Sequence, residues 1–299
     1  MGKDQLISIG IHGHMVKAKK QIMEDLKLID VAIEILDARI PVSSRNLEIE
    51  EILKEKQKIF VLNKSDLADE KSNQKWKQYF EENGIRTVIT DSNTGKGIPE
   101  VIQELEKIRA KQNRELEEKG RMGKAVRTMI VGIPNVGKSS FINRISKKTS
   151  AQVGNKPGVT KQKQWIRVNQ NIELLDTPGV LWPKLDQEKV ALHLSYTGTI
   201  KDEILPTIDI GYQFIQRLKN DYPEQFMARY RIEKERFDQI EKSNLEEEEK
   251  VMELMNEVGK KRGAIVSGGE VDLEKVANLV LDDFRKGKLG RITLEQPNQ

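Results

Sequence analysis

The octapeptide Gly132-Ile-Pro-Asn-Val-Gly-Lys-Ser139 narrows what this chain can fold into more than any other feature. It fits the pattern G-x-x-x-x-G-K-S, follows the apolar run Thr128-Met-Ile-Val131 and opens a helical stretch. Such a loop works between a strand and a helix, and so implies a parallel α/β sheet. Its glycines let backbone N–H groups curl around phosphate oxygens at a helix N-terminus. The candidate phosphate contacts are Asn135, Val136, Gly137, Lys138, Ser139 and Ser140. Lys138 would neutralise the transferring phosphoryl group, which makes it a candidate catalytic residue, and the Ser139 hydroxyl would ligate Mg²⁺. The Asn135 side-chain oxygen could also help hold K⁺. By itself the loop implies a nucleoside triphosphate and does not choose the base.

Asp176-Thr-Pro-Gly179 begins 44 residues after Gly132 and directly follows the strand-like run Ile172–Leu175. There the Asp176 carboxylate would face the metal through a water, and the Gly179 N–H would face the γ-phosphate. Between the two motifs, Pro157-Gly-Val-Thr160 offers the Thr160 hydroxyl as a metal ligand when the γ-phosphate is present, which is the logic of a switch. The base choice falls to Asn63-Lys64-Ser65-Asp66, which ends the apolar run Lys58–Leu62. The Asp66 carboxylate can accept from two adjacent guanine nitrogens, whereas adenine would leave a buried charge unpaired. Asn63, Lys64 and Asp66 are therefore candidate nucleotide contacts, and Ser92, after the run Thr87–Thr90, stands where a small-residue loop would back the base.

The order of these motifs is unusual. GTPases generally present the phosphate loop, switch threonine, DxxG, NKxD and small-residue loop in that sequence, and here the last two come first. Apolar runs at Val31–Leu36, Lys58–Leu62 and Thr87–Thr90, separated by helical stretches at Asn46–Lys56 and Glu70–Asn83, predict parallel α/β structure before the phosphate loop. A long charged helix over Ile98–Lys119 would bridge the former ends, and Trp165–Val168 with Ile172–Leu175 predicts a hairpin. The expected fold is a circularly permuted P-loop GTPase domain, with a mostly parallel six-stranded sheet, followed by an all-helical C-terminal domain. The expected divisions are an N-terminal catalytic and RNA-contacting segment over 1–29, the GTPase domain over 30–185 and the helical domain over 186–299.

Composition excludes several alternatives. Without cysteine there are no disulfides, thiolate metal sites or cysteine nucleophiles, and three histidines leave little for a histidine-built metal centre. No apolar run approaches the roughly 20 residues needed to cross a bilayer, and no signal-peptide pattern begins the chain, so a cytoplasmic location is expected. Residues 200–299 carry 17 basic against 21 acidic side chains and residues 1–199 carry 34 against 26, so the basic excess resides in the first two thirds. That excess, beside nucleotide motifs, favours RNA as an anionic partner.

Many GTPases place a water-orienting glutamine directly after DxxG, whereas this chain has Val180-Leu181. Slow intrinsic hydrolysis is expected, with the catalytic group drawn from elsewhere. His12-Gly-His14 is the candidate, since an imidazole can orient water near neutral pH. His193, on an apolar helical stretch, reads as packing.

Beyond the nucleotide motifs, the chain contains Gly13-His-Met15, Asp37-Ala-Arg-Ile-Pro41, Ser43-Ser-Arg-Asn46, Thr177-Pro-Gly-Val-Leu-Trp-Pro183, Gly198-Thr-Ile-Lys-Asp202 and Ser267-Gly-Gly269. With these it resembles the circularly permuted bacterial GTPases of ribosome assembly, and in particular the ribosome biogenesis GTPase A family. The resemblance spans nearly the whole chain. It implies GTP hydrolysis stimulated by the large (50S) ribosomal subunit, Mg²⁺ and K⁺ as ions, 23S rRNA and ribosomal proteins as partners, and neither membrane nor DNA. It also implies a catalytic histidine in a Pro-Gly-His-Met motif preceded by aromatics, which falls on His14 over His12. This chain departs from that motif, reading Ile9-Gly-Ile-His-Gly-His-Met15.

Two other functions fit the same motifs. One is a signalling switch that binds a protein partner without RNA, for which the acidic C-terminal third is the support. The other is an RNA-binding module that binds GTP without hydrolysing it, for which the missing glutamine is the support.

Overall fold

The structure is a computed structural model that describes residues 20, 22–147, 164–176, 187–200 and 206–297. It divides into two compact units. The first comprises Met1–Leu185 together with Thr293–Gln299, and the second Asp186–Ile292.

The first unit is built on a six-stranded sheet. Its strands are β1 (Val31–Asp37), β2 (Gln57–Asn63), β3 (Arg86–Ile89), β4 (Val126–Val131), β5 (Gln164–Asn169) and β6 (Ile172–Asp176). Their order is β3-β2-β1-β4-β6-β5, parallel throughout except for the β5–β6 hairpin at one end. Every residue of β1 is buried, as expected for a central parallel strand covered on both faces. One-way parallel pairing places the carboxyl ends of β1, β2, β3, β4 and β6 along the same edge. Open α/β sheets bind ligands at that edge.

Four helices accompany the strands: α1 (Leu47–Ile52), α2 (Glu70–Glu82), α3 (Ile98–Glu117) and α4 (Lys138–Lys147). Each of the first two is started by a side chain. The Asn46 carboxamide accepts from the N–H groups of Glu48 and Ile49, and the Asp69 carboxylate accepts from Ser72 N–H at 2.7 Å. Such caps stabilise by about 1 kcal/mol each. α1 is shorter than the expected Asn46–Lys56 helix because the chain leaves it at Leu53 to enter β2. The indole of Trp76 stacks on Phe80 at 5.3 Å, and Phe80 meets Phe60 edge-on at 5.0 Å. These rings join Leu36, Ala38, Leu62 and Ala68 in one core cluster, which locks α2 onto β1 and β2. Ahead of β1 the described residues begin at Lys20. There the chain is helical at 22–25 and closes with a tight turn at Leu26–Leu28.

The second unit contains six helices among its described residues: α5 (Glu188–Tyr196), α6 (Thr207–Asp221), α7 (Pro223–Tyr230), α8 (Lys234–Glu241), α9 (Glu247–Arg262) and α10 (Leu273–Arg285). Its core gathers Tyr196, Phe214, Leu218, Val258, Val280 and Phe284. α6 approaches α10 closely at Gly211, where a side chain would strike Ala277. Four successive glutamates, Glu246–Glu249, begin α9 through a reciprocal capping box between Glu246 and Glu249. His193 is buried, with its ring 6.3 Å from Tyr196. The unit ends at Ile292, not at residue 299 as expected. Thr293–Gln296 hydrogen-bond to the sheet unit, leaving the C-terminal residues outside the helical one.

Candidate nucleotide-binding site

Four loops meet at the carboxyl edge of the sheet. β4 leads into the phosphate loop and α4, β2 into Asn63–Asp66, β1 into Asp37–Ser44, and β3 into the Ser92 loop.

Asn63 is the junction of three of them. It is buried, and its Nδ2 donates to the Val136 carbonyl at 2.9 Å. Its Oδ1 accepts from Ser92 Oγ at 2.7 Å, from Ser92 N–H at 3.2 Å and from Thr90 Oγ1 at 3.2 Å. The amide is thus spent on scaffolding, fixing the phosphate loop on one side and the Ser92 loop on the other. Gly137 completes the fit. Its φ is +92°, and a Cβ there would collide with the Asn63 amide. Arg144, on α4, donates to the Ser92 carbonyl at 3.0 Å, adding a second link between those loops.

Lys64 adopts a left-handed backbone, φ 59°, and sends its ammonium to the Asn135 carbonyl at 2.5 Å and to Asp37 Oδ2 at 3.1 Å. Burial pushes the Lys64 ammonium down in pKa, with Arg39 nearby adding to the effect and Asp37 opposing it. Burial works against the charged form of Asp37 as well. The charges of Arg39 and Lys64 and the hydrogen bonds from Arg39 outweigh it and hold the carboxyl far below the usual range. Arg39 grips Asp37 through Nε at 2.9 Å and Nη2 at 2.7 Å, with both side chains buried. An ion pair so buried is favourable only when its lone pairs are filled, as they are here. Asp66 is exposed on the loop that follows.

At the phosphate loop, Lys138 Nζ lies 3.9 Å from Asp176 Oδ1 at the end of β6. Burial brings the Lys138 ammonium down to about 8, against the pull of Asp176. A lysine so placed is matched to an incoming phosphate. Ser139 and Ser140 are exposed at the start of α4, and Asn135 is exposed with φ 65°. The Ser139 hydroxyl and the Asp176 carboxylate are the oxygens on this edge that could ligate Mg²⁺. Among the described residues no cluster of three or more His, Asp or Glu could cage a metal, so such an ion would take its other oxygens from phosphate and water.

The structure therefore brings together Asn63, Lys64, Asp66, Ser92, Asn135, Val136, Gly137, Lys138, Ser139, Ser140 and Asp176 along one edge. His14, His12, Thr160 and Gly179 lie outside the described residues. Asp37, Arg39, Thr90 and Arg144 are supporting residues for which motif reading assigned no role. For Asp37 the signal was a carboxylate closing a mostly apolar strand two positions before an arginine. Among the described residues no helix is long and apolar enough to cross a membrane.

Comparison with known proteins agrees with this geometry. Residues 127–257 match the family described as 50S ribosome-binding GTPase, and residues 42–186 match the RsgA GTPase family. The chain is 42% identical to ribosome biogenesis GTPase A of Bacillus licheniformis, over 95% of this chain and 96% of that one. It is 30% identical to the protein of the same name from Thermotoga maritima, over 95% of this chain and 93% of that one. A crystal structure of YlqF from Thermotoga maritima, bound to GNP, superposes with a TM-score of 0.64 at 28% identity, covering 95% of this chain and 99% of that one. With its nucleotide loops converging on one sheet edge and relatives matching nearly end to end, this chain is a GTPase and belongs to the ribosome biogenesis GTPase A family.

Proposed function

We propose that this GTPase is an assembly factor of the bacterial large ribosomal subunit, which binds 23S rRNA in the maturing particle and leaves it after hydrolysing GTP. The observation that carries the reading is the meeting of the Asn63–Asp66 loop, the phosphate loop and Asp176 on one edge, in a chain whose relatives are named for ribosome biogenesis. A basic excess in the first two thirds supports an RNA partner.

In this reading Asp66 accepts from the guanine base, and Asn63 and Lys64 hold its loop against the phosphate loop. Lys138 and the N–H groups of Val136–Ser140 hold the β- and γ-phosphates. Ser139, Thr160 and, through water, Asp176 would hold a Mg²⁺ ion, which would supply positive charge to offset the negative charge that develops on the phosphates. The Asn135 side-chain oxygen would help hold K⁺. The Gly179 N–H supports the γ-phosphate. His14 orients the attacking water, which breaks the bond between the γ-phosphorus and the β–γ bridging oxygen to give GDP and phosphate. Activity is expected in the cytoplasm, with residues 1–29 and the helical residues 186–292 carrying RNA contacts.

The test is GTP turnover in potassium and in sodium buffer, with and without purified large subunits, for the wild type, His14→Ala and Lys138→Ala. Stimulation by subunits in the wild type, lost in both variants while His14→Ala still binds nucleotide, supports the reading. A rate unmoved by subunits sinks it and favours a switch that binds a protein partner, for which the acidic C-terminal third is the supporting observation.

A further inference from the structure

The sheet unit ends with a segment that returns from the far side of the sequence. After the helical unit closes at Ile292, Thr293–Gln296 lies against the Asp37–Ser44 turn on one side and the first turns of α2 on the other. On one side the Glu295 carboxylate accepts from Val42 N–H at 2.6 Å, from Ser43 N–H at 3.0 Å and from the Ser43 hydroxyl. Leu294 N–H donates to the Arg39 carbonyl at 2.8 Å. On the other side Asp69 N–H donates to Thr293 Oγ1 at 3.0 Å, Gln296 donates to the Ser72 hydroxyl at 3.0 Å, and the Trp76 indole N–H donates to the Glu295 carbonyl at 3.1 Å.

The Arg39 partner connects to the nucleotide loops through a chain of side chains. Arg39 holds Asp37, Asp37 takes Lys64, and Lys64 takes the phosphate-loop carbonyl of Asn135. Asp37 N–H is in turn fixed by Ser44 Oγ at 3.0 Å, next to the turn that Glu295 holds. Asp69 ends the loop three residues after Asp66. Glu295 is only 6% exposed, and two successive N–H groups converging on one carboxylate make a small anion nest. A carboxylate buried this far needs its oxygens hydrogen-bonded, and the Val42 and Ser43 donors supply that.

We propose that Thr293–Gln296 is a positioning segment for the guanine site, with Glu295 and Thr293 its working residues. It clamps the Asp37–Ser44 turn and the exit of the Asn63–Asp66 loop at once, and so sets the reach of Lys64 and Asp66. The inference rests on the reading that Asp66 contacts guanine. Loosening the clamp should weaken guanine nucleotides more than inosine ones, because inosine lacks the exocyclic amine and so forgoes one of the two hydrogen bonds to Asp66.

The experiment uses the full chain and fluorescent GDP, with IDP as competitor, at a temperature well below the unfolding midpoint of every variant. Glu295→Ala and Thr293→Val should each weaken GDP binding by about three- to tenfold, the loss expected for one or two hydrogen bonds, and should narrow the preference for GDP over IDP. Thr293→Ser, which keeps the hydroxyl, should restore both. Asp66→Asn is the control for the underlying reading. If it leaves GDP binding intact, the assignment of the base site fails and the clamp with it. If it weakens GDP while Glu295→Ala and Thr293→Val change stability alone and leave the GDP-to-IDP ratio fixed, the base site stands and the clamp is overturned.

Discussion

The Asn63 side-chain amide donates to the Val136 carbonyl at 2.9 Å, joining two motifs 73 residues apart and in reversed order along the chain. Asn63→Ala would leave that carbonyl, Ser92 N–H and the Thr90 hydroxyl without this partner. Each buried polar group left unsatisfied costs about 1–3 kcal/mol. GDP affinity should fall by at least about tenfold, and the unfolding midpoint should drop. A fluorescent-GDP titration that finds wild-type affinity would refute the scaffolding role.

Gly137→Ala tests the same contact from the other side. A Cβ there meets the Asn63 amide, and φ is +92°, so displacement and backbone strain add to about 2–4 kcal/mol. Nucleotide binding should fall by more than about 30-fold while the circular dichroism spectrum is kept. Combining it with Asn63→Ala removes the collision, so the double variant should bind better than the sum of single losses predicts. Strict additivity would show that strain alone was responsible.

Lys138 predicts a proton linkage. Its ammonium is brought down to about 8 by burial, whereas phosphate oxygens favour the charged form. Below pH 8 the lysine is already protonated and binding takes up little. As pH rises through 8, binding must draw a proton onto Lys138, so the GDP dissociation constant should rise with pH. Calorimetry at pH 8.5 in two buffers of different ionisation enthalpy measures that uptake, and equal apparent enthalpies would contradict it.

Glu34, in the middle of β1, is pushed up to about 8 by burial and by the neighbouring Glu50, against the Asn46 N–H, Arg45 and Lys58. Unfolded, its carboxyl titrates near 4.5. Below 4.5 both states are protonated and stability is full. Between 4.5 and 8 the unfolded chain ionises first, so stability declines as pH rises. Glu34→Gln should therefore gain on the wild type on the order of 2–3 kcal/mol at pH 7, with the gain vanishing near pH 4.5. Urea denaturation at both pH values is the check, and a pH-independent difference would refute it.

Much of this was legible in the sequence because it is local. The phosphate loop, the apolar strands around it and the reversed order of Asn63–Asp66 are contiguous patterns whose spacing carries their geometry, and β1, β2 and β4 lie within a few residues of where periodicity places them. What escaped is non-local and polar. Glu295 meets Ser43 across 252 residues, and no period or motif links a glutamate after a helical region to a serine in a turn. Asn63 was legible as a motif residue, but its use as a brace depended on which loops the sheet order brings beside it.

That sheet order also bears on how the chain is made. β1 lies at the middle, paired with β2 on one side and with β4 on the other, where Val31 faces Thr128. The left half, β3-β2-β1, comes from one contiguous stretch of chain and the right half, β4-β6-β5, from the next. At synthesis rates of about 5–20 residues per second, β1 leaves the ribosome roughly 5–20 s before the strand that covers its second edge. Through that interval an apolar strand offers unpaired N–H and C=O groups to any neighbouring chain. The seam that completes the nucleotide edge is thus also the point where a newborn copy is most open to mispairing.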